Sequence, residues 1–504
     1  MLEPAFPWRP VASTIEDMTA PALHLKSSRG RWVVAATVLG SSLAMLDGTV
    51  VNVALPRIGE DLGAEVAGLQ WVLSGYTLTL ASLILFGGAL GDRIGRRRVF
   101  VWGTVWFAIA SGLCALAPNV TVLVAARLLQ GVGAALLTPG SLAIISASFD
   151  DDDQGAAIGL WSGLGGVAAA VGPLLGGWLV EIAGWRSVFL INLPLAVAVV
   201  WVSARHVPET RDPHPPERLD IPGSTLAALA LGALTYGLIE KAWWAAAAGI
   251  VVMAAFVVVE RRSRSALVPG KLFASRVFVA ANLVTLAVYA ALGGVFFLLL
   301  LQLQIVSGYS PLAAGVASLP ITILMLLLSS RAGRWAQVHG PRILMTVGPL
   351  LGAAGLLLML RIGPDASYPT QVLPAVLVFG LGLSALVAPL TAAVLGSVSS
   401  DQAGVASGVN NAVARTSQLL AVAALPALAG IGADALGDPE AFASGFRIAM
   451  LICAGLLLIG AAISAVMIPR HVPVRVQETE TAGEDVACQP HCDVTAPAVQ
   501  PPTR

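Results

Sequence analysis

The sequence predicts an all-α protein that crosses a membrane many times, and three observations carry that reading. Of its 504 residues 57% are hydrophobic, and the mean hydropathy is +0.82. Only 12% are charged, about half the ~25% of an average soluble domain, which is too few to clothe a water-facing surface of this size. The apolar residues also fall into runs of about 20, the length that spans ~30 Å of hydrocarbon as a helix. Backbone in hydrocarbon must satisfy its own hydrogen bonds, as a helix does. The formal net charge is zero, so no polyanionic partner such as nucleic acid is expected.

Fourteen runs can be drawn in order. The chain opens on a polar segment, 1–30, that lacks the apolar core of a signal peptide. Run 1 covers 31–55 and contains one acid, Asp47. Run 2, 69–90, leads through a Gly- and Arg-rich turn into run 3, 99–118. Pro118-Asn119 separates run 3 from run 4, 121–147. Runs 5 and 6 cover 155–180 and 187–204. Runs 7 and 8, 221–240 and 244–260, are short and are joined through Glu240, Lys241, Trp243 and Trp244. Run 9, 277–305, ends at Gly308-Tyr309-Ser310-Pro311, beyond which run 10 covers 313–333. Runs 11 to 14 cover 343–361, 371–397, 404–430 and 446–468. Residues from 469 onward form a polar tail expected to be disordered.

Lys and Arg orient these runs. With the N-terminus in the cytoplasm, the inner segments hold 22 of them and the outer segments five, while Arg127 and Arg415 lie within runs. Such a bias sets topology, and an even number of runs places both termini inside. The chain also repeats itself. Gly88, Gly95 and Arg97 recur 245 residues later as Gly333, Gly340 and Arg342; DQGAAIGL and DQAGVASGV pair Gln154 with Gln402 and Gly159 with Gly408. The expected organisation is therefore an N-terminal segment (1–30), a six-helix bundle (31–204), a linker with two extra helices (205–276), a second six-helix bundle (277–468) and a tail (469–504). Two repeated bundles suit alternating access around a central site.

Asp47 is the one acid deep within a run, and a charge there is costly unless paired or functional. At 1.5 Å per residue Asp47 lies ~12 Å, and Arg127 ~9 Å, below the outer ends of their helices, so the two can meet. A carboxylate beside a guanidinium stays ionised and takes up a proton more readily if the guanidinium turns away. A static ion pair pinning two helices is the competing reading, although apolar packing could replace such a pair with little loss. Asn411, Arg415 and Gln418 are spaced to share one helix face, which is expected to look into a cavity rather than lipid.

LDGTVVNVALP (46–56), GALGDRIGRRR (88–98), RLLQGVGAA (127–135) and GPLLGG (172–177) resemble, in order, the signature segments of the major facilitator superfamily, and together its fourteen-helix drug:proton antiporters. The resemblance runs from about residue 31 to 468. It implies the major facilitator fold, two six-helix bundles plus two inserted helices, and export of small hydrophobic compounds driven by inward proton flow. It gives Asp47 and Arg127 to proton coupling. It makes the turn with Gly88, Asp92, Arg93, Gly95, Arg96 and Arg97 a gate latch between the halves, and marks Gly172, Pro173, Gly176 and Gly177 as an antiporter motif. The turn is also a plain positive-inside anchor, and the glycines also serve ordinary helix packing. The second copy of the turn has Gln337 in place of Asp92 and is expected to lack the latch.

Candidates for a greasy cavity are Asn52, Trp71, Tyr76, Gln130, Trp161, Tyr289, Phe296, Asn411, Arg415 and Gln418, with core packing the competing reading for each aromatic. Cys114 and Cys453 read as packing residues, and Cys488, His491 and Cys492 fit no standard zinc spacing. No phosphate-cradling GxxxxGK[ST] loop is present, and neither is a GxSxG elbow or an HExxH pair. The expectation is thus a transporter rather than a pump or enzyme, with no cofactor or metal, working as a monomer on protons and a small-molecule substrate. Arg outnumbers Lys 26 to 3, as in GC-rich bacterial genomes, which points to a bacterial cytoplasmic membrane. A dedicated exporter of one metabolite, such as a self-made antibiotic, an amino acid or a siderophore, is the alternative. With one deep acid, one proton per cycle and a cargo of at most one positive charge are expected.

Overall fold

The computed structural model describes residues 23–212, 219–263, 268, 270–399 and 402–470. The Cys488, His491 and Cys492 group, most of the 1–30 segment and Arg218 lie outside the described residues. The helices are α1 (Ser28–Leu62), α2 (Val66–Ile94), α3 (Arg96–Ala115), α4 (Val120–Ser148) and α5 (Asp151–Ala183). There follow α6 (Ser187–His206), α7 (Ile221–Ile239), α8 (Trp243–Arg262), α9 (Arg276–Val306), α10 (Pro311–His339) and α11 (Arg342–Met359). The set closes with α12 (Tyr368–Leu395), α13 (Ala403–Leu428) and α14 (Pro439–Met467). Every one of the fourteen apolar runs is a helix.

Most helices extend past the apolar limits because polar caps, not hydropathy, decide where they start. Ser27 Oγ accepts from Gly30 N at 3.0 Å, Asn119 Oδ1 from Val122 N at 2.9 Å and Asp220 Oδ1 from Gly223 N at 2.8 Å. Each satisfies a first-turn amide that has no intrahelical partner. The largest correction is α14, expected from residue 446 but begun at Pro439. Asp438 Oδ1 accepts from the amides of Glu440 and Ala441 at 3.1 Å, and proline fits the first turn because it has no N–H to satisfy. Helix α6 is interrupted at Ile191, while α9 ends and α12 begins in a π-turn.

Thirteen helices among the described residues are long and apolar enough to cross a membrane, and the protein is a multi-pass membrane protein. The other is α13, whose Asn410, Asn411, Arg415 and Gln418 dilute its hydropathy. Large apolar side chains cover the outside, as at Ile109, Leu116 and Val251, each at least 60% exposed.

The repeat in the sequence is a repeat in packing. In the first half α4 packs on α2 and α3, α1 on α5 and α6, and α3 on α6. In the second half α12 packs on α10 and α11, α9 on α13 and α14, and α11 on α14, the same pairings moved on by eight helices. The halves meet through α5 with α10 and α2 with α13, and these two seams exchange under the same shift. Helices α7 and α8 pair with each other, and α7 leans on α2 and α13.

One end of the molecule carries the α2–α3 turn with its four arginines and is here termed the basic end. The halves close on each other at the opposite end. A Cβ on Gly177 of α5 would fall 2.6 Å from Leu312 Cα, and one on Gly315 of α10 would fall 2.3 Å from Pro173 O. Gln70 Nε2 donates to Val422 O at 2.7 Å and to Ala423 O at 2.9 Å, and Gln304 Nε2 to Val53 O at 3.1 Å. Toward the basic end α5 and α10 part. Gly155, Gly159, Gly163 and Gly166 of α5 are exposed and face open space, and Leu326, Leu327, Arg331 and Arg334 of α10 are exposed. A cleft between the halves opens on the basic end.

Candidate functional site

Asp47 lies near the middle of α1 with its side chain fully buried, and so does that of Arg127 on α4. They form an ion pair through Arg127 Nη1 and Asp47 Oδ2. Three further side chains complete a closed polar cluster in the first half. Gln130, one turn beyond Arg127, donates from Nε2 to Asp47 Oδ1 at 2.8 Å and to Ser111 Oγ at 2.8 Å, and accepts from Arg127 Nη1 at 2.7 Å. Asn192 Nδ2 of α6 donates to Asp47 Oδ1 at 3.2 Å and Ser111 Oγ at 3.3 Å. Arg127 Nε donates to Val72 O at 3.0 Å, and the guanidinium lies 4.4 Å from the Tyr76 ring centroid and 5.8 Å from that of Phe189. Tyr76 itself donates to Ala44 O at 3.2 Å.

The cluster is well but not completely satisfied. Arg127 Nη2 is buried with no hydrogen-bond acceptor, and an orphan donor costs about 1–3 kcal/mol. A guanidinium with an idle arm can re-pair, which is a property expected of a switch more than of a rivet. Chemically the group can hold or release one proton at Asp47, with Arg127, Gln130 and Asn192 compensating the carboxylate charge.

Ser111 and Asn192 were not singled out from the sequence. Each is a small polar residue inside an apolar run, the signal that was read at Asp47 but not here. Burial of acids also extends beyond Asp47. Asp220 and Glu260 are buried at the basic ends of α7 and α8, on either side of Gly223. They sit at helix ends rather than mid-span, so Asp47 is still the one acid deep within a helix among the described residues.

The α2–α3 turn is held in a way the sequence did not reveal. Asp92 pairs with Arg96 at 2.8 Å, one helical turn away, while Arg93 is exposed and has no ion pair among the described residues. Gly95 has φ +125°, a backbone conformation that favours glycine, and its missing Cβ leaves room for the Glu209 carboxylate. Gly88 needs no such freedom, because its added Cβ would make only ordinary contact with Pro139 at 3.6 Å. Glu209, just past α6, accepts from Arg97 N at 3.1 Å and lies 3.6 Å from Nε of both Arg97 and Arg98. Arg96 N donates to Thr210 O at 2.9 Å. In this structure the turn is thus fastened to the chain leaving the first half.

The GPLLGG segment splits its work. Gly172 and Gly176 let α5 lie against Thr49 and Val50 of α1, whereas Pro173 and Gly177 form the seam with α10 described above. The cavity candidates divide likewise. Trp71 donates to Glu240 and packs on Tyr236, so it faces the inserted helix pair and not the cleft. Gln130 belongs to the buried cluster. Asn52 Nδ2 donates to Gly48 O of its own helix at 2.7 Å, and Trp161 Nε1 to Ser41 Oγ at 2.9 Å. Tyr76 walls the cluster. Tyr289, Asn411, Arg415 and Gln418 are half-buried, and Arg415 stands near enough to act electrostatically on both Tyr76 of α2 and Tyr289 of α9, which sets it between the halves.

The family model described as Major Facilitator Superfamily matches residues 37–421 and 332–498. The chain is 34% identical over 478 residues to the puromycin resistance protein pur8 of Streptomyces alboniger, covering 90% of this chain and 95% of that one. It is 34% identical over 387 residues to the multidrug resistance protein Stp of Mycobacterium tuberculosis, covering 75% and 72%. A bacterial homologue of the human lysosomal transporter Spinster, solved inward-facing and unoccupied, superposes with a TM-score of 0.63 over 88% of this chain and 97% of that one. At 17% identity that likeness speaks to fold alone. Twelve helices in two repeated bundles with two more inserted between them, and a near full-length family match, establish that this chain belongs to the Major Facilitator Superfamily of membrane transporters.

Proposed function

We propose that the protein is a proton-coupled antiporter. It exports small hydrophobic or amphipathic compounds across the bacterial cytoplasmic membrane by alternating access, with the basic end and both termini in the cytoplasm. The observation that carries this reading is the Asp47–Arg127 pair, fully buried and cross-braced by Gln130 and Asn192. Protonation neutralises Asp47 and removes its hold on Arg127, freeing α1 to move against α4. Loss of the proton restores the pair. Exchange of one proton for one cargo needs no second mid-span carboxylate. The cleft that opens at the basic end is the state that loads cargo from the cytoplasm, and the Gly177–Leu312 and Gly315–Pro173 seam is the closed outer gate.

The test is transport in proteoliposomes under an imposed pH gradient. Wild type should move a hydrophobic dye against inward proton flow, with substrate-induced proton release from the purified protein. Asp47→Asn should do neither while folding normally, and proton-coupled transport retained in that variant would sink the assignment. A dedicated exporter of one metabolite is the second reading, favoured by relatives named for a single antibiotic such as pur8. A substrate panel separates it from the broad reading, which draws support from Stp.

A further inference from the structure

The two charged sites in the membrane interior are unlike. Every acceptor of Asp47 is engaged, and Arg127 is matched by a carboxylate. Arg415, about half way along α13, has no acid partner and no side-chain hydrogen bond among the described residues, and neither do Asn411 one turn before it or Gln418 one turn after it. Their neighbour Asn410 is turned toward α9, where its Nδ2 donates to Asn282 Oδ1 at 3.1 Å and Thr285 Oγ1 at 2.8 Å. The opposite side of α13 is anchored too, since Leu419 packs with Leu78, Ala81 and Leu231. Asn411, Arg415 and Gln418 therefore share one face of α13 between those two anchored sides, and none of the three is used in a side-chain hydrogen bond among the described residues. The Tyr289 hydroxyl, within electrostatic reach of Arg415, also lacks a hydrogen bond among the described residues.

A guanidinium half-way through a membrane faces a partner or a water-filled cavity, and in a cavity it attracts an anion. Asp47 is committed to Arg127, and no other described acid lies mid-span. What is left on this face is a cation flanked by two carboxamides and a phenol, rich in donors, with planar geometry suited to a two-oxygen anion. We propose that Arg415, with Asn411 and Gln418, is the anion-binding element of the cleft, and that the preferred cargo carries a carboxylate or an equally compact oxyanion on its apolar body. This deepens the export reading and rests on the cleft being the cargo site. Tyr76 relates the two sites, with Arg127 over its ring and Arg415 within electrostatic reach of it.

The test is equilibrium binding to the full chain in nanodiscs of phosphatidylcholine, where no net-anionic headgroup competes. The probes are 2-naphthoate, its methyl ester and 2-naphthylmethylamine. Wild type should bind the acid at least roughly tenfold more tightly than the ester, the scale of one charge-assisted pair. Arg415→Gln should erase that preference and leave ester binding unchanged, Arg415→Lys should keep part of it, and Arg415→Glu should transfer the preference to the amine. Equal affinity for acid and ester, no acid binding up to the millimolar range, or an unchanged preference in Arg415→Gln would each overturn the assignment. The measurement needs no pH gradient, so its failure strikes the anion site alone, whereas loss of Asp47-dependent transport strikes the antiport reading.

Discussion

In the first half α4 crosses α3 at Gly133 and Gly103, and in the second half α12 crosses α11 at Gly382 and Gly348. The backbones approach so closely that a Cβ on any of the four would lie 2.6–2.9 Å from the facing carbonyl oxygen. Six residues before Gly133 stands Arg127 and three before it Gln130; at the same steps before Gly382 stand Val376 and Phe379, both fully buried. Asp47, moved on by the 245-residue offset of the repeat, becomes Leu292, also buried. The same bundle therefore packs soundly around Val, Phe and Leu. The charges of the first half are not required by its architecture, and a buried ion pair is seldom more stabilising than the apolar side chains that could replace it. On the antiport reading proposed above, their presence in one half only would place the moving proton there and leave the second half to bind cargo.

The contrast can be broken most directly at Asp47. Asp47→Asn should lower pH-driven efflux by about 100-fold or more, the scale of a lost proton-transfer group, as measured in proteoliposomes, with expression and thermal unfolding near wild type. Rewriting the cluster as its counterpart sharpens the point. Asp47→Leu/Arg127→Val/Gln130→Phe should fold with unchanged or raised melting temperature yet transport nothing. A triple variant that fails to fold would mean that the cluster is structural. Arg127→Ala alone is worse placed, since it strands a buried carboxylate at about 3–5 kcal/mol. The pH profile of transport should then differ from that of wild type. Arg127→Lys should recover only part of the loss, lacking the planar fork. Superimposable profiles for wild type and Arg127→Ala would end the pairing argument.

The seam between the halves comes next in size. Gly177→Val drives side-chain atoms into the backbone of Leu312 and should destabilise the closed outer gate by about 1–3 kcal/mol. Spin labels at Gly159 and Leu327, on the basic-end stretches of α5 and α10, should report shorter distances in the variant than in wild type, and an unchanged distribution would exonerate the seam. The smallest effect is expected at the turns. Gly95 and Gly340 share positive φ, so both halves make the same bend, but among the described residues only the first is latched by a glutamate. Glu209→Gln should lower stability by no more than about 1 kcal/mol, screened by salt as half-exposed pairs are. A larger loss would make the Arg97–Glu209 contact a principal tie between the first bundle and the inserted helices.

Some of the site was legible before any coordinates. Asp47 and Arg127 stood out because each is a charge in an apolar run, and helix rise alone put them at compatible depths. Ser111 and Asn192 escaped because a small polar residue in such a run is common, and only its neighbours across the bundle give it a role. Trp71 and Gln130 were placed on the cleft because depth was known and rotation was not. A shift of one residue turns a side chain by about 100°, enough to move it from cleft to core or to a neighbouring helix.

By itself the sequence determined the class, the number of spans, the repeat and the rank order of its buried charges. Hydrophobic run length, charge bias and spacing are signals along one dimension, and hydrocarbon enforces them strictly because every backbone group must be satisfied within its own helix. Tertiary structure alone decided that Ser111 and Asn192 join the polar cluster, that Glu209 braces the α2–α3 turn, that the cleft opens on the basic end, and that Arg415 has no acid partner among the described residues. Those outcomes join residues as much as 352 positions apart. They depend on how each helix is rotated and crossed against its neighbours, which glycine contacts fix in space and no local period encodes.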